Sequence, residues 1–168
     1  MAEAINGVNR IILMRPEAMR GDIDAGRLAF QTEHEVTRSR DSDSMATKDG
    51  NIVSTSDISV EMSVTSILAQ TDPMRNKLLE AFEANELMEF WDIDKTAPEL
   101  SGENAGKFPA TYYQGYVTEW GENAPADAHV ELSLTIAING SGVRGYATLS
   151  EEQSTVVQYP FRNTTAGN

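Results

Sequence analysis

The clearest periodicity in the chain runs from Tyr112 to Asn139, where the pattern predicts two strands joined by a proline-containing turn. In its second half the alternation is unbroken. Val130, Leu132, Leu134, Ile136 and Ile138 fall on one face; His129, Glu131, Ser133, Thr135, Ala137 and Asn139 fall on the other. A period of two places one face in a core and the other in water. The pattern recurs within a strand predicted over Ile52 to Thr65, where Ile58, Val60, Met62 and Val64 oppose Asp57, Ser59, Glu61 and Ser63. Both wet faces carry small polar groups and carboxylates, and neither carries a bulky catalytic or aromatic cluster.

Shorter apolar runs predict three further strands: Ile11 to Met14, Arg27 to Val36, and Leu87 to Ile93 with Phe90 and Trp91. One helix is predicted. Asp72 can accept from the free amides of a first turn, and Pro73 suits the first helical position because its missing donor costs nothing there. Met74, Leu78, Ala81 and Phe82 follow at helical spacing with Leu79 beside them. Glu80, Glu83 and Glu86 point outward, and the helix ends near Asn85. Pro16 and Gly21 bracket a turn. Arg38 to Asn51 is dense in Ser, Asp, Lys and Gly, too long and polar for a tight hairpin, and reads as a long exposed loop or hairpin tip. Thr96 to Pro109 reads as a second long loop. After Asn139 a glycine-rich turn leads to a short strand ending near Tyr159; residues 1–10 read as an N-terminal arm and 160–168 as a flexible tail. The sum is a single, mainly β domain over residues 1–168 with one flanking helix.

Charge changes this picture more than hydropathy does. Thirteen Lys and Arg face 26 Asp and Glu, a net charge of -13. The excess is concentrated between Thr71 and Glu131, while the first 50 residues are nearly balanced. Such a chain can meet DNA as a repelling wall but not by wrapping it in a basic cleft. With no cysteine, disulfides, thiolate metal sites and a cysteine nucleophile are excluded. The start of the chain has neither a basic nor an apolar leader region, which predicts a protein made, folded and assembled inside the cell.

Motifs for chemistry fail on their context. Gly140-Ser-Gly142-Val-Arg-Gly145 fits a dinucleotide-binding glycine pattern, but a β-like segment follows where a helix is needed. Asp41-Ser-Asp43 opens like a calcium loop, yet Met45 and Ala46 stand where a ligand and the turn glycine belong. His34-Glu35 has no second histidine one helical turn on, and His129 stands alone. No GxSxG elbow is present. No catalytic, cofactor or metal residue is assigned, and no enzyme activity is expected.

Three segments carry a resemblance: RLAFQTEHEVTRSRDSDSMATKDGNI from Arg27, KLLEAFEANELMEFWDI from Lys77, and YYQGYVTEWGENAPADAHVELSLTIAINGSG from Tyr112. In this order they resemble the major tail proteins of long, non-contractile-tailed bacteriophages, of the lactococcal temperate-phage kind. The likeness covers roughly Arg27 to Gly142, most of the chain, with no clear match beyond Ser150. It implies a tail-tube fold, a β-sandwich or half-barrel with one flanking helix, whose copies form stacked hexameric rings around a channel for the genome. The implied partners are further copies of itself, the tape measure protein in the lumen, the tail terminator, baseplate and distal tail proteins, and DNA in passage; no membrane or cofactor is implied. The implied location is the virion tail, assembled in the host cytoplasm.

Within that reading the lumen candidates are Asp57, Ser59, Glu61, Ser63, Glu131, Ser133 and Thr135, because carboxylates keep a polyanion off the wall. The candidates for ring-to-ring contact are Arg38, Arg40, Asp41, Asp43, Lys48 and Asp49, whose mixed charge suits a complementary surface. Other readings are a tube protein of a related secretion system, a β-sandwich binding module of carbohydrate or adhesin type, and a small hydrolase. The binding module requires exposed aromatics, for which Tyr113 and Trp120 are the candidates.

Overall fold

The computed structural model describes residues 2–150 and 164–165. Among these residues eight strands and one α-helix carry the fold: β1 (Arg10–Pro16), β2 (Gln31–Ser39), β3 (Ser42–Thr47), β4 (Gly50–Thr55), β5 (Ser59–Ile67), α1 (Pro73–Glu83), β6 (Met88–Asp94), β7 (Phe108–Asn123) and β8 (Glu131–Ala147). Six strands form one antiparallel sheet in the order β1-β6-β7-β8-β5-β2; β3 and β4 pair separately.

The alternating residues of β5 and β8 behave as their period requires. Val60, Met62, Val64, Leu132, Leu134 and Ile136 are buried in one core with Met14, Phe90 and Tyr113. Helix α1 closes this core with Met74, Leu78 and Ala81. Burying Leu78 alone contributes about 2 kcal/mol. Asp72 caps the helix by accepting from the Met74 amide at 3.1 Å, and its other oxygen accepts from the Ala29 amide at 3.0 Å. Thus the cap also anchors the chain entering β2.

β1 and β6 are buried on both faces, so they read as continuous apolar runs rather than alternations. Their second face forms a smaller cluster of Ile11, Leu13 and Ile93 with Trp91, Phe108 and Ala110 packed against it. The sheet wraps into a half-barrel whose edge strands approach one another. Gln31 bridges them: its amide donates to the Ile12 carbonyl at 2.8 Å and accepts from the Ile12 amide at 3.3 Å, standing in for one backbone rung. Further along β2, Arg38 donates to the Tyr113 hydroxyl across the interior.

Buried charges lock the back of the half-barrel. Arg15 donates to one Glu89 oxygen through Nε (3.0 Å) and Nη2 (2.9 Å), and the Tyr112 hydroxyl donates to the other at 2.6 Å. Asp92 takes Arg10 from β1 and His34 from β2, the latter at 3.2 Å. Burial pushes the Asp92 carboxyl up, but hydrogen bonds and charge from His34 and Arg10 outweigh it, holding it below its ordinary value. A depressed carboxyl stabilises the fold above the unfolded-state value, near pH 4, and the contribution is lost as pH falls through the folded value. Asp92→Asn is therefore expected to cost about 3 kcal/mol at neutral pH. It should also flatten the acid limb of stability, as measured by denaturant melts across pH.

Several expectations are corrected. Of the two readings of Arg38 to Asn51, the hairpin tip holds and the irregular loop does not: β3 and β4 turn tightly at Lys48-Asp49, where Thr47 Oγ1 donates to the Gly50 carbonyl at 2.6 Å. The expected single strand Ile52 to Thr65 is broken between Thr55 and Ser59. Arg27 to Val36 starts late, at Gln31. The predicted glycine turn after Asn139 lies inside β8, which runs on to Ala147 through a bulge opposite Tyr113. Gly140 and Gly142 have φ of 69° and 83° there, and a Cβ on Gly142 would stand 2.5 Å from the Tyr113 ring. That crowding explains the glycine without any phosphate. The strand expected to end near Tyr159 lies outside the described residues, as does the 160–168 tail apart from 164–165.

Candidate functional site

Strands β2, β5, β8 and the second half of β7 present one continuous solvent face. Its composition follows from register, because residues directly opposite in an antiparallel ladder share a face. Glu35 stands opposite Ser63, Ser63 opposite Thr135, and Thr135 opposite Glu119. One rung along, Thr37, Glu61, Ala137 and Tyr116 line up; on the other side come Glu33, Thr65, Ser133 and Gly121. Glu131 closes the face between Ile67 and Asn123. The positions carry Glu33, Glu35, Glu61, Glu119 and Glu131, hydroxyls and small residues, and no lysine, arginine or histidine.

Of the lumen candidates named from sequence, Ser59, Glu61, Ser63, Glu131, Ser133 and Thr135 are brought together on this face. Asp57 is exposed in the break before β5. Sequence reasoning missed Glu33 and Glu35 on β2 and Glu119 on β7. The inner side of β2 is His34, Val36 and Arg38, with one apolar residue of three, so no alternation marked it. On β7 a register shift between Val117 and Glu119 throws the period out of phase.

The face has two free edges. Among the described residues, β2 forms a backbone ladder only with β5, its far edge meeting β1 and β6 through the Gln31 and His34 side chains, and residues 116–123 of β7 form one only with β8, since β6 covers β7 no further than Gly115. Exposed strand edges seek further strands.

From one end of the face the β3–β4 hairpin projects as a continuation of β2 and β5. The joint is tied by the Ser56 amide donating to the Asp41 carbonyl (2.8 Å), the Asp41 amide donating to Ser56 Oγ (2.9 Å), and Arg40 donating to the Ser56 carbonyl (3.1 Å). Every residue of β3 and β4 is exposed. Of the contact candidates, Arg38 reaches inward to Tyr113 and Arg40 and Asp41 hold the joint, while Asp43, Lys48 and Asp49 face solvent beyond it. Met45 and Ile52, opposite one another, and Val53 are exposed by 60% or more.

The two aromatics named as candidates for a binding module are occupied. Tyr113 is 1% exposed, and Trp120 stacks on Phe82 at 6.1 Å and donates to Glu122 at 3.2 Å. Among the described residues, no group of three or more His, Cys, Asp and Glu is placed to hold a metal, and no helix is long and apolar enough to cross a membrane.

Residues 4–144 match the phage tail tube protein family. This chain belongs to that family. A protein of Staphylococcus phage phiMR25 described as a tail protein is 30% identical over 98% of this chain and 86% of its own length. Among solved structures, the subunit of the SPP1 tail tube superposes with a TM-score of 0.75 over 98% of this chain and 95% of that one, at 17% identity. The tail of an empty gene transfer agent particle, refined with C6 symmetry, gives 0.63 over 86% of this chain and the whole of the other, at 12% identity. The carboxylate face and the hairpin are thus features of a phage tail tube protein, a structural component of the virion tail.

Proposed function

We propose that copies of this tube protein join edge to edge into hexameric rings that stack into the tube, with the carboxylate face lining the channel through which DNA leaves. The observation that carries this reading is the pair of free edges flanking a face without cations. The face contains an even number of antiparallel strands, so its two edges run in opposite directions. Copies related by rotation about an axis therefore meet β2 against β7 in antiparallel register, head to tail, and the contact closes into a ring.

Strand spacing supports six copies. Strands about 4.8 Å apart, tilted about 40°, give a closed sheet of about 24 strands a backbone diameter near 48 Å, which leaves room for a DNA duplex after side chains. Three copies would give about 24 Å, too narrow once side chains are added. The C6 symmetry of the gene transfer agent tail, which shares the fold, agrees with six. Carboxylates on the wall repel phosphate, so the genome meets no fixed cation to stop it.

In such a barrel the strands run broadly along the tube axis, so the β3–β4 hairpin extends beyond its own ring and meets the next. Its reach makes it the ring-to-ring contact, and Met45, Ile52 and Val53 give that contact an apolar centre flanked by Asp43, Lys48 and Asp49. A two-stranded hairpin with both faces in water is marginally stable alone, and a neighbouring ring supplies the missing layer. The tape measure protein in the lumen and terminator and baseplate proteins at the tube ends complete the proposed set of partners, with assembly in the host cytoplasm.

Electron microscopy of the concentrated protein tests the reading. Rings or tubes are expected, growing more readily as salt screens the charge of -13 on each chain. Monomers alone at high concentration and high salt, with the tail initiation complex present, would sink it.

A further inference from the structure

Arg27 stands four residues ahead of β2, at the free edge of the carboxylate face. Its side chain is half-buried, and its Nε has no hydrogen-bond partner among the described residues. Burial pushes the guanidinium below its ordinary value, the direction expected of a cation that has lost water without gaining an anion. Other arginines of the fold are engaged: Arg10 with Asp92, Arg15 with Glu89 and Arg75 with Glu122. Beside Arg27, between the starts of β1 and β2, runs a groove of about 600 Å³ bounded by Ile5, Val8, Arg10, Ile11, Gln31 and Glu33. Ile5 and Val8 are 62% and 70% exposed, so the groove pairs a cation with two uncovered apolar side chains.

The complement to this groove exists at the opposite edge of the same face. Rungs run from Gln31 to Ser66, from Ser66 to Leu132 and from Leu132 to Glu122, so within one subunit the start of β2 and the end of β7 lie at the same end of the face. Beyond β7 the turn reads Ala124-Pro125-Ala126-Asp127-Ala128, small apolar residues around one acid, all exposed. Glu122 is already held by Arg75 at 2.6 Å and Trp120 at 3.2 Å. Asp127 has no hydrogen bond or ion pair among the described residues.

We infer that Arg27 and its groove receive the β7–β8 turn of the next subunit in the ring, with the Asp127 carboxylate as counter-ion to Arg27; this rests on the tube reading above. The incoming turn covers Ile5 and Val8 and gives the half-buried guanidinium its anion. Such a pair sets register between subunits, because a one-residue slip along the strand edge separates the charges.

The test compares the wild type, Arg27→Glu, and the swap Arg27→Glu with Asp127→Arg, by light scattering and electron microscopy. Arg27→Glu should keep the far-UV spectrum and melting temperature of the monomer while raising the critical concentration for assembly at least about tenfold. The swap should bring it back near the wild-type value. If the reversed charge impairs folding, Arg27→Met, which keeps the stem and removes the charge, should raise the critical concentration in the same direction. Wild-type assembly in folded Arg27→Glu or Arg27→Met, or no recovery in the swap, would overturn the contact while leaving the tube intact. A wild type that never assembles would count instead against the tube reading.

Discussion

Replacing Ser42–Thr55 by Asn-Gly is expected to leave a folded monomer that forms no long tubes. The cut is placed at a natural rung, since the Ser56 amide already donates to the Asp41 carbonyl at 2.8 Å, and a two-residue Asn-Gly link closes such a pair. The removed strands are exposed at every position, so the change should move the melting temperature by only a few degrees, on the order of 1 kcal/mol or less. Its effect on assembly should be nearly complete, because each ring loses its reach into the next. Single rings without stacks are the expected products under the microscope. Tubes of ordinary length would show that ring-to-ring contact lies elsewhere.

The second large effect concerns passage of the genome. Glu61→Lys with Glu131→Lys changes two exposed positions on adjacent strands of the carboxylate face, neither side chain being hydrogen-bonded among the described residues. Tubes should still form, since neither side chain lies in the core. In phage carrying the double variant, DNA ejection should slow by roughly tenfold or more at low salt and recover as salt rises, because each fixed cation holds phosphate through counterion release. Ejection at the normal rate across that salt range would argue that the face lies outside the channel.

How much of this was legible in the residues depends on where each strand's water lies. β5 and β8 each have one wet face, so Val60, Met62 and Val64, and Leu132, Leu134 and Ile136, announced both the strands and their polar sides. β1 and β6 were legible only as apolar runs, because both of their faces are buried. β3 and β4 have no dry face at all, and a hairpin without a core has no period to display; its Ser and Asp therefore read as loop. Gly140 and Gly142 read as a turn because the sequence cannot distinguish glycines that reverse the chain from a pair that forms a bulge, where Gly142 admits the Tyr113 ring. The candidate face was half visible for the same reasons. The polar faces of β5 and β8 were identified, while Glu33 and Glu35 sat on a predicted edge strand whose inner side is largely polar. The ion pairs of Glu89 and Asp92 lie on strands far apart in the chain, and no local pattern could join them.

A reconstruction of assembled tubes by electron cryomicroscopy, at a resolution that traces strands, tests the central claim most directly. The expected map shows a continuous antiparallel barrel in which β2 of one subunit lies beside residues 116–123 of the next, with Glu35, Glu61 and Glu131 facing the channel. Those residues on the outer surface, with Trp91 and Tyr112 toward the axis instead, would contradict it.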